Sequence, residues 1–214
     1  MSSVSIQLLV LAGIAVFLII KLRSVLGTRD GFEPTAAAPA GRASAPTVID
    51  GALDEDITDH APDEASRDAL AAMKGAEPDF NVTEFLKGAR GAYEMILMAF
   101  DKAEIDSIRP FTGPEVEASF DAAVADRMAR GLTVTSTFMG IRELSLTEAR
   151  FDRTTKRAEV SIRFTGELIR AVKNAEGQVV EGNATAIQRQ REVWAFSRLM
   201  GTGDPNWQLV AISD

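Results

Sequence analysis

Cysteine is absent from the 214 residues, and histidine and tyrosine occur once each, as His60 and Tyr93. The first absence excludes disulfides, thiolate nucleophiles and sulfur-ligated zinc. The second leaves no material for a histidine-rich metal centre. Also missing are a glycine-rich phosphate-binding motif, metal-ligand spacing and a paired acid–base constellation. No cofactor, metal or catalytic residue is therefore assigned. Basic excess is lacking too: the net charge is −8. Between residues 50 and 80 stand ten acids against two bases, which leaves 21 of each sign in the rest of the chain. Nucleic acid binding needs a basic footprint, so no nucleic acid is expected as a partner.

What is present begins with an apolar run. Residues 4–20 carry no charge, a length near the lower limit for crossing a bilayer core. Leu22, Val25 and Leu26 extend the run, while Lys21 and Arg23 can reach headgroups along their aliphatic stems. A cleaved signal peptide is the alternative, but it wants positive charge before the run. Here Lys21, Arg23 and Arg29 all follow it and no lysine or arginine precedes it. The pattern predicts one uncleaved transmembrane helix over residues 1–26, a lipid bilayer as its partner, and the body of the chain on the cytoplasmic side. In a bacterium that is a single-pass protein of the inner membrane.

Residues 27–79 read as a linker, rich first in Pro, Ala, Gly and Thr and then in acids, and the acidic part is expected to be solvated. Within it, residues 62–74 predict a short helix with a weak apolar face of Ala65, Ala69, Leu70 and Met73. Two readings stay open: packing on the domain, or docking on a partner or membrane surface.

Residues 80–214 predict one α+β domain. Val82, Phe85, Leu86, Ala89, Tyr93, Ile96, Leu97 and Phe100 recur at helical steps, with Asn81 as N-cap. Lys87, Arg90, Glu94 and Asp101 are expected to face water. Pro114 opens another helix that Gly131 ends, with Val116, Phe120, Ala123, Val124 and Met128 on its apolar face. From Leu132 the period changes to two, most cleanly at Ala158, Val160, Ile162 and Phe164. A long strand over residues 179–199, broken near Asn183, and a last one over 207–212 complete an antiparallel meander.

Core packing is the plain expectation for the aromatic residues. The same residues suggest a second role: Tyr93, Phe100, Phe164, Trp194 and Phe196 as the wall of an apolar cavity able to take an acyl chain or apolar peptide. Arg189 and Arg191 share one strand face and, with Arg163 or Arg170, suggest either an anionic rim or a polar outer face. Gly88 and Gly91 permit close approach to the central helix.

The spaced residues Phe80, Phe85-Leu86-Lys87-Gly88-Ala89, Tyr93-Glu94-Met95-Ile96, Ala99-Phe100-Asp101, Arg127, Gly131, Val193-Trp194-Ala195-Phe196 and Trp207-Gln208-Leu209 resemble the Tim44-like family. That family comprises the mitochondrial inner-membrane import-motor scaffold and its bacterial relatives, called TimA. One departure is Ala103-Glu104, where the family commonly has Gly-Asp. The resemblance implies a cone-shaped fold similar to nuclear transport factor two. It also implies a membrane-tethered, non-catalytic adaptor or scaffold. Its expected partner is a protein, a DnaK-type chaperone or a membrane complex, with a phospholipid as a further ligand. A lipid- or apolar-ligand-binding domain is the alternative, and an enzyme of the same fold comes third.

Overall fold

The computed structural model describes residues 54–214; the segment read as a membrane anchor and the first part of the linker lie outside them. Among the described residues, no helix is long and apolar enough to cross a membrane.

The central helix runs over Val82–Lys102. The Asn81 side chain accepts from the Glu84 amide at 2.8 Å, satisfying one of the free donors of the first turn. Val82, Phe85, Ala89, Tyr93, Ile96 and Leu97 are buried along one face, as the spacing predicts. Ala103 ends the helix at φ 61, in the left-handed region. This is the position where the departure from the family pattern puts alanine in place of glycine.

Residues 54–79 differ from a solvated linker. Helices α1 (Glu55–His60) and α2 (Glu64–Ala76) precede the central helix, here α3, and bury Ile57, Leu70 and Met73 in the same core. Several acids have fixed partners. Asp56 accepts from the Val82 and Thr83 amides at 2.7 and 3.0 Å, so a residue of α1 caps the start of α3. Partial burial of Asp56 opposes ionisation. The Thr83 hydroxyl and these two amides outweigh it and hold the carboxyl below the usual aspartate range. Asp54 pairs with Lys74, and Asp63 caps α2 by accepting from the Ser66 amide at 2.7 Å. The Ser66 hydroxyl in turn accepts from the Ala149 amide at 3.1 Å, fastening α2 to the sheet.

After two short 3-10 turns comes α4 (Pro114–Ala129), which buries Val116 and Val124. Met128 is 63% exposed and Ala123 also faces solvent, so the apolar face is narrower than its spacing implies. The four strands are β1 (Thr133–Phe151), β2 (Arg157–Lys173), β3 (Val179–Leu199) and β4 (Gln208–Ser213). They form an antiparallel meander in the order β1-β2-β3-β4. Strand β1 stays one element through register shifts at Phe138/Gly140, Ile141/Glu143 and Leu146/Glu148, which let the ladder continue. The last shift explains why burial passes from Leu146 to Ala149 rather than to position 148. On β2, Ala158, Val160, Ile162 and Phe164 are fully buried.

The break near Asn183 is a bulge. Leu168 pairs with Gln188 but Arg170 pairs with Asn183, so residues 184–187 stand out of the ladder. The Asn183 side-chain oxygen Oδ1 accepts from the Thr185 and Ala186 amides, both at 2.8 Å, and closes the excursion. Just before it, Gly182 has φ 77, and a Cβ there would lie 2.3 Å from the Arg170 carbonyl oxygen. Only glycine fits that approach.

Candidate functional site

One concavity lies along the first half of α3 and another at its C-terminal end. The first is an open groove of about 460 Å³. Gly88, Gly91, Ala92 and Met95 form its floor on α3, and Phe196 and Trp207 form the opposite wall. The Phe85 and Trp207 rings lie 4.6 Å apart beneath it. Beyond chain neighbours and the helix itself, no heavy atom lies within 4 Å of a Cβ placed on Gly88 or Gly91, so their missing side chains leave free space. Arg198 stiffens the wall. Its guanidinium sits 5.2 Å from the centre of the Trp207 ring and donates to the Glu77 carboxylate at 2.7 Å and the Asp204 carbonyl at 3.1 Å. Glu77 also accepts from the Gly201 amide at 3.0 Å. Desolvation works against the Glu77 charge, but these donors prevail and its pKa is lowered. With Arg198 and Glu77 spent on each other and Glu84 paired with Lys87 at 2.6 Å, the exposed Asp79 gives the rim its acidic character.

The second concavity, about 390 Å³, lies between the end of α3, α4 and strands β2 to β4. Leu97, Phe100, Phe120 and Trp194 supply apolar wall, while Asp101, Gln188, Gln190 and Glu192 supply hydrogen-bonding groups. Asp101, expected in water, is 4% exposed. Its Oδ1 accepts from Arg170 Nε at 3.0 Å, while its Oδ2 has no hydrogen-bond partner. Arg170 also donates to Glu181, so it bridges two carboxylates. Glu192 accepts from the Trp194 indole at 3.1 Å and from the Gln190 side-chain amide. Burial, and then the charge of Glu192 beside it, push the Tyr93 phenol far above its ordinary pKa, although no atom meets hydrogen-bond geometry with its hydroxyl.

The five aromatic residues named as a cavity wall are distributed between these places. Tyr93 stacks on Phe164 at 4.5 Å and meets Trp194 at 4.7 Å, and Trp194 lies 6.2 Å from Phe196. Those four form one aromatic core. Phe100 stands apart, 4.7 Å from Phe120 and beneath the Arg127 guanidinium. Phe196 lines the groove, Phe100 and Trp194 line the inner cavity, and Tyr93 and Phe164 line neither. Of the arginines named as a rim, Arg170 is tied to Asp101 and Arg189 to Glu167. The polar members Asp101, Glu192 and Arg198 carry no local signal in the sequence. Arg170 and Glu77, the partners of Asp101 and Arg198, lie tens of residues away, and the Tyr93 ring that Glu192 stands beside is as distant in the chain.

A family model described as the Tim44-like domain matches residues 66–214. The chain belongs to that family. The matched span begins inside α2, the helix whose Leu70 and Met73 enter the core. Membership in the Tim44-like family agrees with a scaffold or adaptor role in protein translocation. Among solved structures, the intermembrane space region of the chloroplast protein ARC6 aligns with a TM-score of 0.38 at 12% identity. The alignment covers 67% of this chain and 94% of that one, a likeness too distant to bear on fold or function. No curated protein matches the sequence.

Proposed function

We propose that this Tim44-like protein is a membrane-tethered, non-catalytic adaptor, similar to the bacterial TimA relatives. Residues 1–26 anchor it in the bacterial inner membrane with the folded domain in the cytoplasm. The groove over Gly88 and Gly91 holds a segment of a protein partner, a DnaK-type chaperone or a membrane complex, close to the bilayer. The gain is effective concentration, since tethering keeps the binding surface near membrane-bound partners. Helices packed on an antiparallel sheet agree with the cone of nuclear transport factor two. The observation that carries the reading is the groove floor. Two glycines cost the central helix roughly 1 kcal/mol each, and no neighbouring side chain uses the space they leave.

The alternative, a lipid-binding domain, is opposed by Asp79 at the groove rim, which repels a phosphate headgroup. Two experiments test the adaptor. Deleting residues 1–27 leaves a soluble, folded protein that no longer fractionates with membranes; persistence on membranes refutes the tether. A photocrosslinking residue at Met95 in intact cells captures a defined protein, and Gly91→Trp abolishes capture while the protein remains folded. Unchanged capture with Gly91→Trp refutes the groove, and copurifying acyl species in native mass spectra replace the reading with the lipid one.

A further inference from the structure

The inner cavity has a charge arrangement that the adaptor role does not use. Asp101 is answered by Arg170, and Arg189 at the rim is answered by Glu167 at 2.9 Å. Glu192 is different. Among the described residues no lysine, arginine or histidine pairs with it, and only neutral donors, the Trp194 indole and the Gln190 amide, hold it in place. A half-buried carboxylate without a counter-ion favours any cation that can enter. The surroundings suit one. Phe100 and Trp194 present aromatic rings in the wall, and Leu97 and Ile212 supply aliphatic surface. The wall also offers acceptors: Glu192, the side-chain carbonyls of Gln188 and Gln190, and the unpartnered Asp101 Oδ2. The Gln188 amide is engaged on the Arg170 carbonyl at 3.1 Å, and the Nε groups of Arg170 and Arg189 donate to Asp101 and Glu167. A volume of about 390 Å³ falls within the range of small-molecule sites.

We propose that this cavity is a receptor site for a small protonated amine with an aromatic or aliphatic body. Its ammonium group pairs with Glu192 and its body packs between Phe100, Leu97 and Trp194. The amine adds donors where the wall offers acceptors, and it supplies the counter-ion that Glu192 lacks. The site occupies the C-terminal end of α3, whereas the partner groove occupies its first half. The two proposals therefore stand or fall separately.

The chain has two tryptophans, and Trp194 is the one in this cavity. In the full-length detergent-solubilised protein carrying Trp207→Phe, Trp194 is the sole indole and reports occupancy by its fluorescence. The probes are phenethylamine, the neutral 2-phenylethanol and the anionic phenylacetate. Phenethylamine is expected to give a saturable change, with affinity at least on the order of tenfold above either analogue, as one charge-assisted pair implies. Glu192→Gln removes most of that advantage. Ile212→Phe keeps Glu192 but narrows the cavity, and also weakens phenethylamine. Thermal melts establish that each variant is folded; if Glu192→Gln is not, Ile212→Phe decides alone. No saturable response to phenethylamine, phenylacetate binding as tightly, or an unchanged response in the folded variants overturns the proposal.

Discussion

Gly166 on β2 faces the ring of Tyr93, and replacing it with alanine tests the packing at the centre of the domain. A Cβ at position 166 would lie 2.6 Å from the Tyr93 hydroxyl oxygen, 3.0 Å from Cε1 and 3.2 Å from Cζ. Comfortable separation for such atoms is roughly 3.5 Å or more. The ring cannot retreat easily, because Tyr93 is fully buried and stacked on Phe164. Overpacking of this kind costs about 1–3 kcal/mol. For a domain of this size that lowers Tm by roughly 2–12 °C. The nearest clash is with the hydroxyl, so Tyr93→Phe is expected to relieve part of it. Alone, Tyr93→Phe is close to neutral or stabilising, since it removes a buried hydroxyl without a hydrogen-bond partner. The double variant Gly166→Ala/Tyr93→Phe should regain about 1 kcal/mol relative to the sum of the singles, in thermal or urea melts. A Gly166→Ala Tm within about 1 °C of wild type, against the overpacking cost, or no recovery in the double variant, would refute the reasoning.

Other perturbations have equally definite outcomes. Ala103→Gly relieves a left-handed alanine at the end of α3 and should raise stability by about 1 kcal/mol, read from thermal melts. Gly88→Ala and Gly91→Ala each fill open space on a helix and should stabilise by roughly 0.8–1.0 kcal/mol in urea melts. Arg170→Met leaves Asp101 buried without its cation and should cost about 3–5 kcal/mol in the same assay. The Glu77 pKa is lower in the folded state, so its stabilisation is fully present above the ordinary glutamate value of about 4.3 and disappears as pH falls through the folded value. Glu77→Gln should therefore lose about 1–2 kcal/mol at neutral pH, a discounted charged hydrogen bond, and match wild type in strongly acidic melts.

The central helix was readable because its repeat of 3.6, its Asn81 cap and its apolar stripe all agree locally, and the alternation on β2 was readable for the same reason. Asp101 was not. Four residues beyond Leu97, it shares the buried face, and only Arg170, brought in by the sheet, makes a carboxylate tolerable there. The acids of residues 54–79 misled differently. Counting charge cannot separate a solvated carboxylate from one that caps a helix, and Asp56 caps one 26 positions away. Aromatic residues marked the interior but not its cavities, because a fully stacked ring such as Phe164 and a wall ring such as Phe100 look alike in a linear string. The polar half of the inner cavity was invisible, since Glu192 gains its meaning from Tyr93 and Trp194 folding against it.

The excursion of residues 184–187 also governs how the sheet meets other chains. Strand β4 pairs β3 only from Val193 to Ser197, so the rest of that long strand has backbone donors and acceptors facing outward, with Val179, Val180 and Ile187 exposed nearby. A straight border of that length is a template for runaway strand addition. By leaving the ladder at Asn183 and rejoining it at Gln188, the chain divides the border into two short pieces that no single incoming strand can match in register. Deleting three of the four excursion residues, so that the one left faces Ile169, would create a continuous border, and the expected cost is aggregation rather than unfolding.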